Sequence, residues 1–475
     1  MSRLLFSHSY FYRFDSKQWK AHQPYPPLAT IQAAAFMRSD GHEVFLSDSN
    51  LREDALEVVD DLQKYAPHYF IIYDDGFNYL TKMCLTNMRA AACQMAREAK
   101  RFGCTVIMNS SDASDRYEYY LDNGIDIVVR GEGEETVKVL VDALDCHAPV
   151  DNIEGIAFKN NGKVVTTPGR AVLRDLDSLP MPAWDLVDLE TYKKIWLENH
   201  GYFSLNIATT RGCPFKCNWC AKPIYGNRYN SRSPEHVVRE IRYLLNTCSP
   251  DHFWMCDDIF GLKPGWIQSF RDLVKSHKLS FRYKIQSRVD LLLQEDTIDA
   301  LAESGAQTVW VGAESGSQKI LDAMDKGTTI EQIEKATTLL RMKNIRVGFF
   351  LQFGYPGETR EDIDKTIAMV LKLMPDEIGI SVSYPLPGTK FYEKVRDQLS
   401  LKQNWTDSDD LSMMYHGTYP PQFYKILHRY VHNRYGVVRG LKSSSIRHKA
   451  ALMIHVPMAM MRAYRIKNIY RSHAR

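Results

Sequence analysis

The sequence predicts an α/β protein with two successive domains built on parallel sheets and a helical C-terminal extension. Apolar strand candidates alternate with helical stretches over the first 150 residues, and six more strand candidates follow from about residue 196. Residues 411–475 then contain no acidic residue. With 475 residues, 44% hydrophobic and 25% charged, the chain has a globular composition and is long enough for two or three domains.

Short apolar strands define the N-terminal domain. "YFIIYDD" at 69–75 and "TVIMNSS" at 105–111 are separated by a helical stretch at 78–103, and a third strand with "IDIVVRGEGEE" at 125–135 runs into a helix. Strands joined by helices form parallel sheets whose ligand crevice lies at the carboxyl ends of the strands. No GxGxxG fingerprint is present, so a dinucleotide site is poorly supported. A regulatory or purely structural domain stays open as an alternative.

A proline-rich connector precedes the second domain. Pro180 and Pro182 disfavour helix and favour an extended chain. The six strand candidates beyond it, separated mostly by helical stretches, indicate an open or closed parallel barrel with chemistry at its strand ends. The predicted segments are a Rossmann-like domain at 1–150, a linker at 151–195, a six-repeat β/α barrel at 196–395 and a basic extension at 396–475.

Charge is distributed unevenly along the chain. Of 60 basic and 57 acidic residues, residues 411–475 carry 12 basic and no acidic ones, which leaves a net charge of −9 for residues 1–410. The basic tail interleaves cations with apolar residues. Packing of a helix on the acidic body fits this pattern best, followed by an anionic membrane surface, and nucleic acid fits least.

The sequence also indicates a compartment. We find no signal peptide and no apolar run long enough to cross a bilayer, and nine cysteines without a secretion signal favour reduced thiols over disulfides. We therefore expect a cytoplasmic protein, with membrane association through its tail as an option.

"RGCPFKCNWCAKP" at 211–223 places three cysteines in one loop, directly after the first strand of the predicted barrel. A structural zinc site needs four protein ligands, and the nearest additional ones are His236 and Cys248. A ferredoxin-type cluster also needs a fourth cysteine, for which Cys248 and Cys256 are candidates. The third interpretation is an iron-sulfur cluster with one iron left open for catalysis.

CxxxCxxC in this position resembles the radical S-adenosylmethionine superfamily. The further motifs resemble the subgroup with an N-terminal cobalamin-binding domain, in the same order along residues 24–392. These motifs are "PYPPLATIQAAAFMRSDGHEVFLSDSN", "IDIVVRGEGEETV", "LRDLDSLPMPAWDL", "MCDDIF", "VGAESGSQKILDAMDKGTT", "FGYPGET" and "PLPGTKFY". The resemblance implies that the fourth iron of a [4Fe-4S] cluster is chelated by S-adenosylmethionine, which accounts for a set of only three cysteines.

The resemblance implies three groups of site residues. The iron ligands are Cys213, Cys217 and Cys220. The residues around S-adenosylmethionine are Trp219, Asp257, Asp258, Arg288, Glu314, Ser315, Gly354 and Pro356. The residues around cobalamin are Asp75, Gly76, Ser110, Gly131 and Gly133.

Specific contacts with S-adenosylmethionine follow from the same resemblance. Trp219 and the "GYPGE" turn are expected beside the adenine, and Glu314 at the ribose hydroxyls or the ammonium. Asp257 or Asp258 is expected opposite the methionyl ammonium, and Arg288 opposite the methionyl carboxylate. An ordinary salt bridge or helix cap is the alternative for each charged residue.

Two departures from the subgroup concern cobalamin. The DxHxxG motif, which supplies a lower axial histidine, is absent, because "SDGHEVF" has its Asp and His at the wrong spacing. "MNSSDASD" stands where many relatives have a glycine-rich turn. Several members of the subgroup bind cobalamin without that histidine, so cobalamin is still predicted.

The implied function is reductive cleavage of S-adenosylmethionine to a 5′-deoxyadenosyl radical, used for cobalamin-dependent methylation of an unactivated carbon. A radical cyclase or oxidoreductase, an RNA-modifying enzyme and a non-catalytic electron carrier are the alternatives. The predicted partners are a hydrophobic small molecule or lipid as substrate and a reducing protein such as flavodoxin or ferredoxin. No residue is singled out as a general acid or base, because hydrogen abstraction by a radical needs none.

Overall fold

The computed structural model describes most of the chain as two compact units. The described residues are 1–77, 84–222, 224–402, 404–406, 410–442 and 446–473. The first unit comprises Met1–Pro214, Lys222–Tyr283 and Asn404–Asp410, and the second comprises Phe215–Ala221, Lys284–Gln403 and Leu411–Arg475. Each unit is assembled from separate chain segments, so the domain boundaries expected at 150, 195 and 395 stay predictions.

A seven-stranded sheet lies in the first unit. Its strands are β1 Arg3–Ser7, β2 Glu43–Ser47, β3 Tyr69–Tyr73, β4 Thr105–Asn109, β5 Ile127–Val129, β6 Ile156–Asn160 and β7 Lys163–Thr166. Their order is β2-β1-β3-β4-β5-β6-β7; the first five are parallel, and β6 and β7 are antiparallel. All five residues of β3 are buried, as expected for a parallel strand covered on both faces. The predicted Rossmann-like sheet is confirmed.

The strand order places a topological switch between β1 and β3. The strands on either side of this point are reached by crossovers in opposite directions, which leaves a crevice at their carboxyl ends. In the register of the sheet, Ser7 at the end of β1 lies beside Ile72 of β3. The segments that follow β3, β4 and β5 therefore border one edge of the sheet, as the sequence predicts.

Seven helices accompany this sheet in the described part of the chain. They are α1 Ser16–Ala21, α2 Leu28–Ser39, α3 Val58–Tyr65, α4 Thr86–Arg101, α5 Ser111–Asp115, α6 Tyr117–Leu121 and α7 Glu134–Asp145. Helix α4 buries Met88, Ala92 and Ala96, which recur every four residues and so share one face. It corresponds to the helix predicted at 78–103, of which residues 78–83 lie outside the described residues.

The connector after β5 begins with a hairpin and continues along α2. Asn161 and Gly162 join β6 to β7 with φ angles of +49° and +75°, the backbone of a two-residue type I′ turn. Further along, the carbonyl of Pro180 accepts a hydrogen bond from Gln32, and the amide of Ala183 donates to Ile31 (2.8 and 3.1 Å). The proline segment is thus extended and tied to the N-terminal domain.

Six further strands form the second parallel sheet. They are β8 Ser204–Ile207, β11 His252–Met255, β12 Arg282–Ser287, β13 Ala306–Glu314, β14 Arg346–Phe353 and β15 Glu377–Val382, and a short antiparallel pair consists of β9 Thr210–Arg211 and β10 Asn230–Ser231. The order of the sheet is β15-β14-β13-β12-β11-β8, which follows the chain. Each strand coincides with one of the six predicted candidates, so the predicted six-repeat β/α architecture is confirmed.

Helices connect these strands and form the C-terminal extension. They are α8 Leu189–His200, α9 Pro234–Thr247, α10 Trp266–Ser276, α11 Val289–Leu292, α12 Thr297–Glu303, α13 Gln318–Ala323, α14 Ile330–Met342, α15 Arg360–Leu373, α16 Lys390–Val395, α17 Pro421–Lys442 and α18 Ile446–His473. Short 3-10 helices span Tyr12–Phe14, Ala55–Glu57, Leu176–Ser178, Trp184–Leu186 and Arg396–Gln398.

The C-terminal extension packs within the second unit. Phe423, Leu427 and Val431 of α17 and Ile466 of α18 belong to the same buried cluster as Tyr355. Apolar residues of the basic tail are therefore core residues, which was the favoured prediction. Within the described residues, none of the helices has the length and apolar character that a membrane span requires.

Candidate active site

The cysteine loop leaves β9 and returns at β10. Because β9 and β10 pair side by side, residues 212–229 form one excursion at the carboxyl end of β8. Gly212 begins it with a φ angle of +78°, and a Cβ atom there would overlap the carbonyl oxygen of Arg228. Only glycine fits this backbone, so the start of the loop is fixed by local sterics.

Three half-buried free thiols lie in this loop. Cys213, Cys217 and Cys220 form no disulfide, and the amide of Cys220 donates to the carbonyl of Cys217 (3.2 Å) in a tight turn. Thiolates are the protein ligands of iron-sulfur clusters, so the donor set suits such a cluster. Whether these thiols hold iron stays a prediction.

The candidates for a fourth ligand are engaged elsewhere. The buried thiol of Cys248 donates to the carbonyl of Leu244 (3.4 Å), and burial raises its pKa to about 11. Cys256 likewise donates to the carbonyl of Ile207 (3.3 Å). His236 lies between Arg232 and Asp177 in the first unit. These side chains favour a site with three protein ligands over a closed zinc or ferredoxin site.

Arg288 stacks on the cysteine loop within the second unit. Its guanidinium carbon lies 3.7 Å from the ring centre of Phe215. The same guanidinium donates to Asp290 (3.0 and 3.1 Å) and to the carbonyl of Lys326 (2.8 Å). The sequence predicts that Arg288 lies opposite the methionyl carboxylate and neutralises its charge. In this structure Arg288 also links the end of β12 to the cysteine loop.

Asn218 anchors the same loop and was missed by sequence reasoning. Its backbone amide donates to the carbonyl of Met324, and its side chain donates to the carbonyl of Ala323 (3.1 and 2.7 Å). Its side-chain oxygen accepts from the hydroxyl of Tyr355 (2.8 Å). Its position inside CxxxCxxC is the only signal in the sequence, because an Asn between two cysteines carries no distinctive pattern of its own.

Glu314 ends β13 at a bulge and forms a buried ion pair. Its carboxylate accepts from the ammonium of Lys326 at 2.7 Å, with both side chains less than one-tenth exposed. Burial alone would lower the pKa of Lys326, but the negative charges of Glu314 and Cys217 outweigh it, so that pKa is raised. The neighbouring Ser315 hydrogen-bonds to Thr366 (3.1 Å) and so connects this strand end to α15.

The two aspartates after β11 differ in their environments. Asp257 is buried and accepts hydrogen bonds from the amides of Thr209 and Thr210 and from the Thr209 hydroxyl (2.7, 2.8 and 2.6 Å). Burial raises its pKa to about 6. Asp257 therefore fixes the turn between β8 and β9, whereas Asp258 is exposed. Of the two, Asp258 is the better candidate for contact with a cationic ligand.

Trp219 and the "GYPGE" turn belong to the second unit. Trp219 packs partly buried against the cluster that contains Tyr355, and its buried indole N–H has no hydrogen-bond partner among the described residues. Gly354, with φ of +82°, donates to the buried carboxyl of Glu358 (2.6 Å). Pro356 is half-buried beside them. A buried N–H donor without an acceptor can bind a ligand that offers an acceptor atom. The adenine expected at this place has such atoms.

The predicted cobalamin residues lie at the carboxyl edge of the N-terminal sheet. Asp75 accepts from the amides of Leu28 and Phe77 (3.2 and 2.9 Å), and Ser110 caps α5 by accepting from Ala113 (2.9 Å). Ser110 therefore stabilises the start of α5, and Asp75 joins the start of α2 to the segment after β3. A Cβ atom at Gly133 would lie only 2.7 Å from the Tyr73 ring, so this position requires glycine, whereas at Gly76 it would make an ordinary contact of 3.6 Å with the Tyr225 hydroxyl.

Gly131 borders a cavity of about 800 Å³ in the first unit. The wall contains five cationic side chains, one carboxylate and several apolar residues. These are Arg130, Arg170, Arg174, Lys222, Arg228, Asp115, Ala171, Val172, Pro214, Ile224, Tyr225 and Tyr229. Of the five residues predicted for cobalamin, Gly131 lines this space, and the assignment of all five to cobalamin stays a prediction.

His42 of "SDGHEVF" lies at the opposite edge of the sheet. It directly precedes β2 and accepts from the amide of Ser2 (3.3 Å). Asp40 and Asp142 lie nearby, and Lys138 donates to both carboxylates (2.7 and 3.2 Å). Because the amino ends of parallel strands face away from the crevice, His42 cannot serve as an axial ligand there.

A buried ion-pair cluster joins the N-terminal domain to the start of the cysteine loop. Arg211 donates to Glu134 (2.6 Å) and to Glu132, and its guanidinium carbon lies 5.6 and 5.5 Å from the ring centres of Phe77 and Tyr225. Burial raises the pKa of Glu132, although the charge of Arg211 opposes this. Sequence reasoning used "GEGEE" and "RGC" as separate motifs and missed that their charges pair.

Comparison with known proteins agrees with these observations. Residues 207–370 match the family model described as the radical SAM superfamily. They form a radical SAM domain. The predicted resemblance is confirmed, and the family match includes the three cysteines.

Two structures of related enzymes match most of the chain in fold. The cobalamin-dependent S-adenosylmethionine radical enzyme OxsB superposes with a TM-score of 0.74 and 16% identity over 98% of this chain and 71% of its own. The radical S-adenosylmethionine methyltransferase TsrM of Kitasatospora setae gives a TM-score of 0.66 and 19% identity over 80% of this chain and 73% of its own. The chain therefore has the fold of radical SAM enzymes with a cobalamin-binding domain.

Curated relatives match in sequence over more than half of the chain. Uncharacterized methyltransferase PH0819 of Pyrococcus horikoshii is 34% identical over 59% of this chain and 60% of its own length. Anaerobic magnesium-protoporphyrin IX monomethyl ester cyclase of Rubrivivax gelatinosus is 31% identical over 58% and 50%. Hopanoid C-3 methylase of Methylococcus capsulatus is 24% identical over 79% and 70%. The chain thus spans 50–70% of the length of these relatives.

Proposed function

We propose that this chain is a radical SAM enzyme that methylates an unactivated carbon with the help of cobalamin. The observation that carries the proposal is the set of three half-buried free thiols in the radical SAM domain, with Cys248 and Cys256 bonded elsewhere. A bound [4Fe-4S] cluster with S-adenosylmethionine would supply a 5′-deoxyadenosyl radical, and cobalamin would supply the methyl group. Cys213, Cys217 and Cys220 are the proposed iron ligands.

The residues around the cysteine loop have positioning roles in this proposal. Arg288 and Asn218 hold the loop through stacking and hydrogen bonds, which restrict the directions in which its thiols point. Within the second unit, Trp219 offers a buried N–H for S-adenosylmethionine. Glu314 and Lys326 neutralise each other, so this pair adds no net charge at the end of β13.

We prefer methylation to the alternative reactions because of what the similar proteins are named. PH0819 and hopanoid C-3 methylase are named as methyltransferases, and TsrM and OxsB share the fold. The named cyclase relative supports a cyclase or oxidoreductase as the second candidate. A hydrophobic substrate is proposed on the same grounds, together with a reducing protein such as flavodoxin or ferredoxin as electron donor.

The decisive experiment combines cofactor and product analysis. The protein is purified without oxygen from cells supplied with cobalamin, its cluster is reconstituted, and it is incubated with S-adenosylmethionine and a strong reductant. We expect bound corrinoid, iron and sulfide, with formation of 5′-deoxyadenosine. Production of S-adenosylhomocysteine supports methyl transfer, whereas 5′-deoxyadenosine alone with no corrinoid supports the cyclase or oxidoreductase. Absence of S-adenosylmethionine cleavage would overturn both.

We also propose that the C-terminal helix contacts an anionic membrane surface. Met460, Met461 and Tyr464 of α18 are exposed, and at 100° per residue they lie within a sector of about 100°. The exposed Lys467 and Arg465 flank this sector. Apolar residues between cations suit the interface of an anionic bilayer, where a lipid substrate would also be found.

A further inference from the structure

Gly354, the first residue of the "GYPGE" turn, has both of its backbone groups bound by side chains. Its amide donates to the buried carboxyl of Glu358 (2.6 Å), and its carbonyl accepts a hydrogen bond from the hydroxyl of Tyr415. Gly354 is buried, with a φ angle of +82° that few other residues adopt. The start of the turn is therefore held by one side chain of the turn itself and by one from the C-terminal extension.

The C-terminal extension also packs directly on this glycine. A Cβ atom at Gly354 would lie 3.0 Å from the methyl carbon of Met413 and 3.1 Å from the ring of Tyr424. Both residues are buried in the same cluster as Tyr415, and residues 284–403 and 411–475 belong to one compact unit. The extension and the turn are therefore in van der Waals contact at Gly354.

Backbone pairing fixes the position of Tyr415. On its two sides, the carbonyl of Met414 accepts from the amide of Ser400, and the amide of His416 donates to the carbonyl of Gln398 (2.9 and 3.1 Å). Tyr415 itself is 4% exposed. A hydroxyl on a residue that is buried and paired in this way is a donor with a fixed position.

Tyr415 is also connected to the cysteine loop through aromatic contacts. The ring of Phe391 lies 5.4 Å from that of Tyr415 and 5.2 Å from that of Tyr355, measured between ring centres. The amide of Phe391 donates to the backbone carbonyl of Asn218, and the hydroxyl of Tyr355 donates to the side-chain oxygen of Asn218 (2.9 and 2.8 Å). Within the second unit, the extension, the turn and the cysteine loop thus form one continuous set of contacts.

Loss of the Tyr415 hydroxyl would remove this donor from the carbonyl of Gly354. A buried carbonyl is costly to leave unpaired, so the turn would populate other conformations in which the carbonyl meets another donor, such as water. A ligand that binds the native turn would then bind more weakly, in proportion to the fraction of molecules that keep this conformation. The hydroxyl therefore has a consequence for binding that packing of the ring alone does not supply.

We propose that Tyr415 is a positioning residue for S-adenosylmethionine, whose hydroxyl holds the "GYPGE" turn in the conformation that accepts the adenine. That the turn contacts the adenine rests on the proposed function. That the extension holds the turn rests on the hydrogen bond and the packing at Gly354. The C-terminal extension then contributes to cofactor binding, in addition to its place in the core of the second unit.

The test compares two buried tyrosines of the extension that lie at different places in the unit. Tyr435 donates to the carbonyls of Pro375 and Asp376 (2.5 and 3.0 Å), which precede β15 at its amino end. S-adenosylmethionine is titrated by calorimetry, without oxygen or reductant, into the reconstituted wild type, Y415F and Y435F. We expect about tenfold weaker binding by Y415F and wild-type affinity in Y435F. Equal affinities of wild type and Y415F, or equal losses in both variants, would overturn the proposal.

Stability and iron content separate positioning from general damage. Each variant loses a buried hydrogen bond to backbone, so we expect Y415F and Y435F to be destabilised to a similar extent in urea and to retain the iron content of wild type. Loss of iron from Y415F in proportion to its lost affinity would assign the effect to the cluster and overturn the proposal.

A second ligand locates the effect at the adenine. 5′-Deoxyadenosine lacks the methionyl group, and we expect Y415F to weaken its binding by the same factor as that of S-adenosylmethionine. A loss confined to S-adenosylmethionine would place the effect at the methionyl end and overturn the proposal. Formation of S-adenosylhomocysteine by wild type is assayed separately: weaker binding by Y415F in a protein that transfers no methyl group would refute the proposed methylation and leave the positioning role standing. No binding of S-adenosylmethionine by wild type would overturn both.

Discussion

Glu358 is a buried carboxyl group with an unusual pKa. It is 1% exposed, accepts a hydrogen bond from the amide of Gly354, and has a second oxygen without a partner in the described residues. Burial raises its pKa from 4.5 to about 8, against the opposing effect of the Gly354 amide. Glu358 therefore stays protonated in the folded protein at pH values where it ionises in the unfolded chain.

This difference makes stability depend on pH. Between about pH 4.5 and 8 the folded state holds one more proton at this site than the unfolded state, so the free energy of unfolding falls as pH rises. Glu358→Gln removes the titration, and we expect wild type to lose up to about 5 kcal/mol relative to the variant over this range. Urea unfolding of wild type and variant at pH 5, 6, 7 and 8 measures this difference in the free energy of unfolding. Glu361→Gln, an exposed carboxylate nearby, is the control, and a constant difference between wild type and E358Q would contradict the prediction.

The cysteines give a second prediction at the scale of residues. Cys217→Ser removes one of three proposed iron ligands, and we expect the reconstituted variant to retain less than about a fifth of the wild-type iron and sulfide. Cys248→Ser is the matched control, because Cys248 is buried and bonded to a backbone carbonyl. Iron and sulfide analysis with the visible absorption spectrum measures both. Equal iron content in C217S and C248S would argue against the assigned ligands.

At the scale of elements, the ion-pair cluster of Arg211 links β9 to the segment after β5. Arg211→Met leaves Glu132 and Glu134 buried without their cation. We expect the free energy of unfolding to fall by about 3–5 kcal/mol, the usual cost of breaking a buried ion pair. Urea denaturation followed by fluorescence is the measurement.

A rescue variant separates charge from packing in that cluster. Neutralising the two glutamates in R211M/E132Q/E134Q removes the unpaired buried charges, so we expect it to recover a substantial part of the lost stability. Arg101→Met serves as the exposed control for the loss of an arginine. A triple variant as unstable as R211M would show that packing of Arg211 against Phe77 and Tyr225 matters more than charge.

Pairing of distant segments limits what can be predicted about such elements. The six barrel strands and the helices between them follow from local apolar patterns, and the structure places strands at all six. The ion-pair partners of Arg211 cannot be predicted from such local patterns. Glu132 and Glu134 are more than 75 positions away in the sequence, and only the tertiary fold brings them to Arg211. The same holds for Arg288 and Phe215, which are also distant in sequence.

At the scale of the whole molecule, the proposed contact of helix α18 with an anionic surface predicts that the protein attaches to membranes. We expect the protein to float with vesicles containing anionic phosphatidylglycerol, and the bound fraction to fall with rising salt because screening weakens the contact. The variant M460S/M461S/Y464S is expected to lose most of the binding. Met342→Ser, which changes an exposed methionine elsewhere, is the control. Equal flotation of the triple variant and wild type would rule out this surface.

The sequence by itself determined the succession of two parallel α/β domains and the position of the cysteine loop, because strands, helices and metal-type spacing are local patterns. It also indicated the radical SAM superfamily, since seven motifs occur in a fixed order. Only the tertiary structure decided what individual polar residues contact. Asp257 and Ser110 proved to stabilise turns, whereas Arg211 proved to pair with Glu132 and Glu134. The physical reason is that a charged side chain takes its role from neighbours in space, which a short motif does not specify.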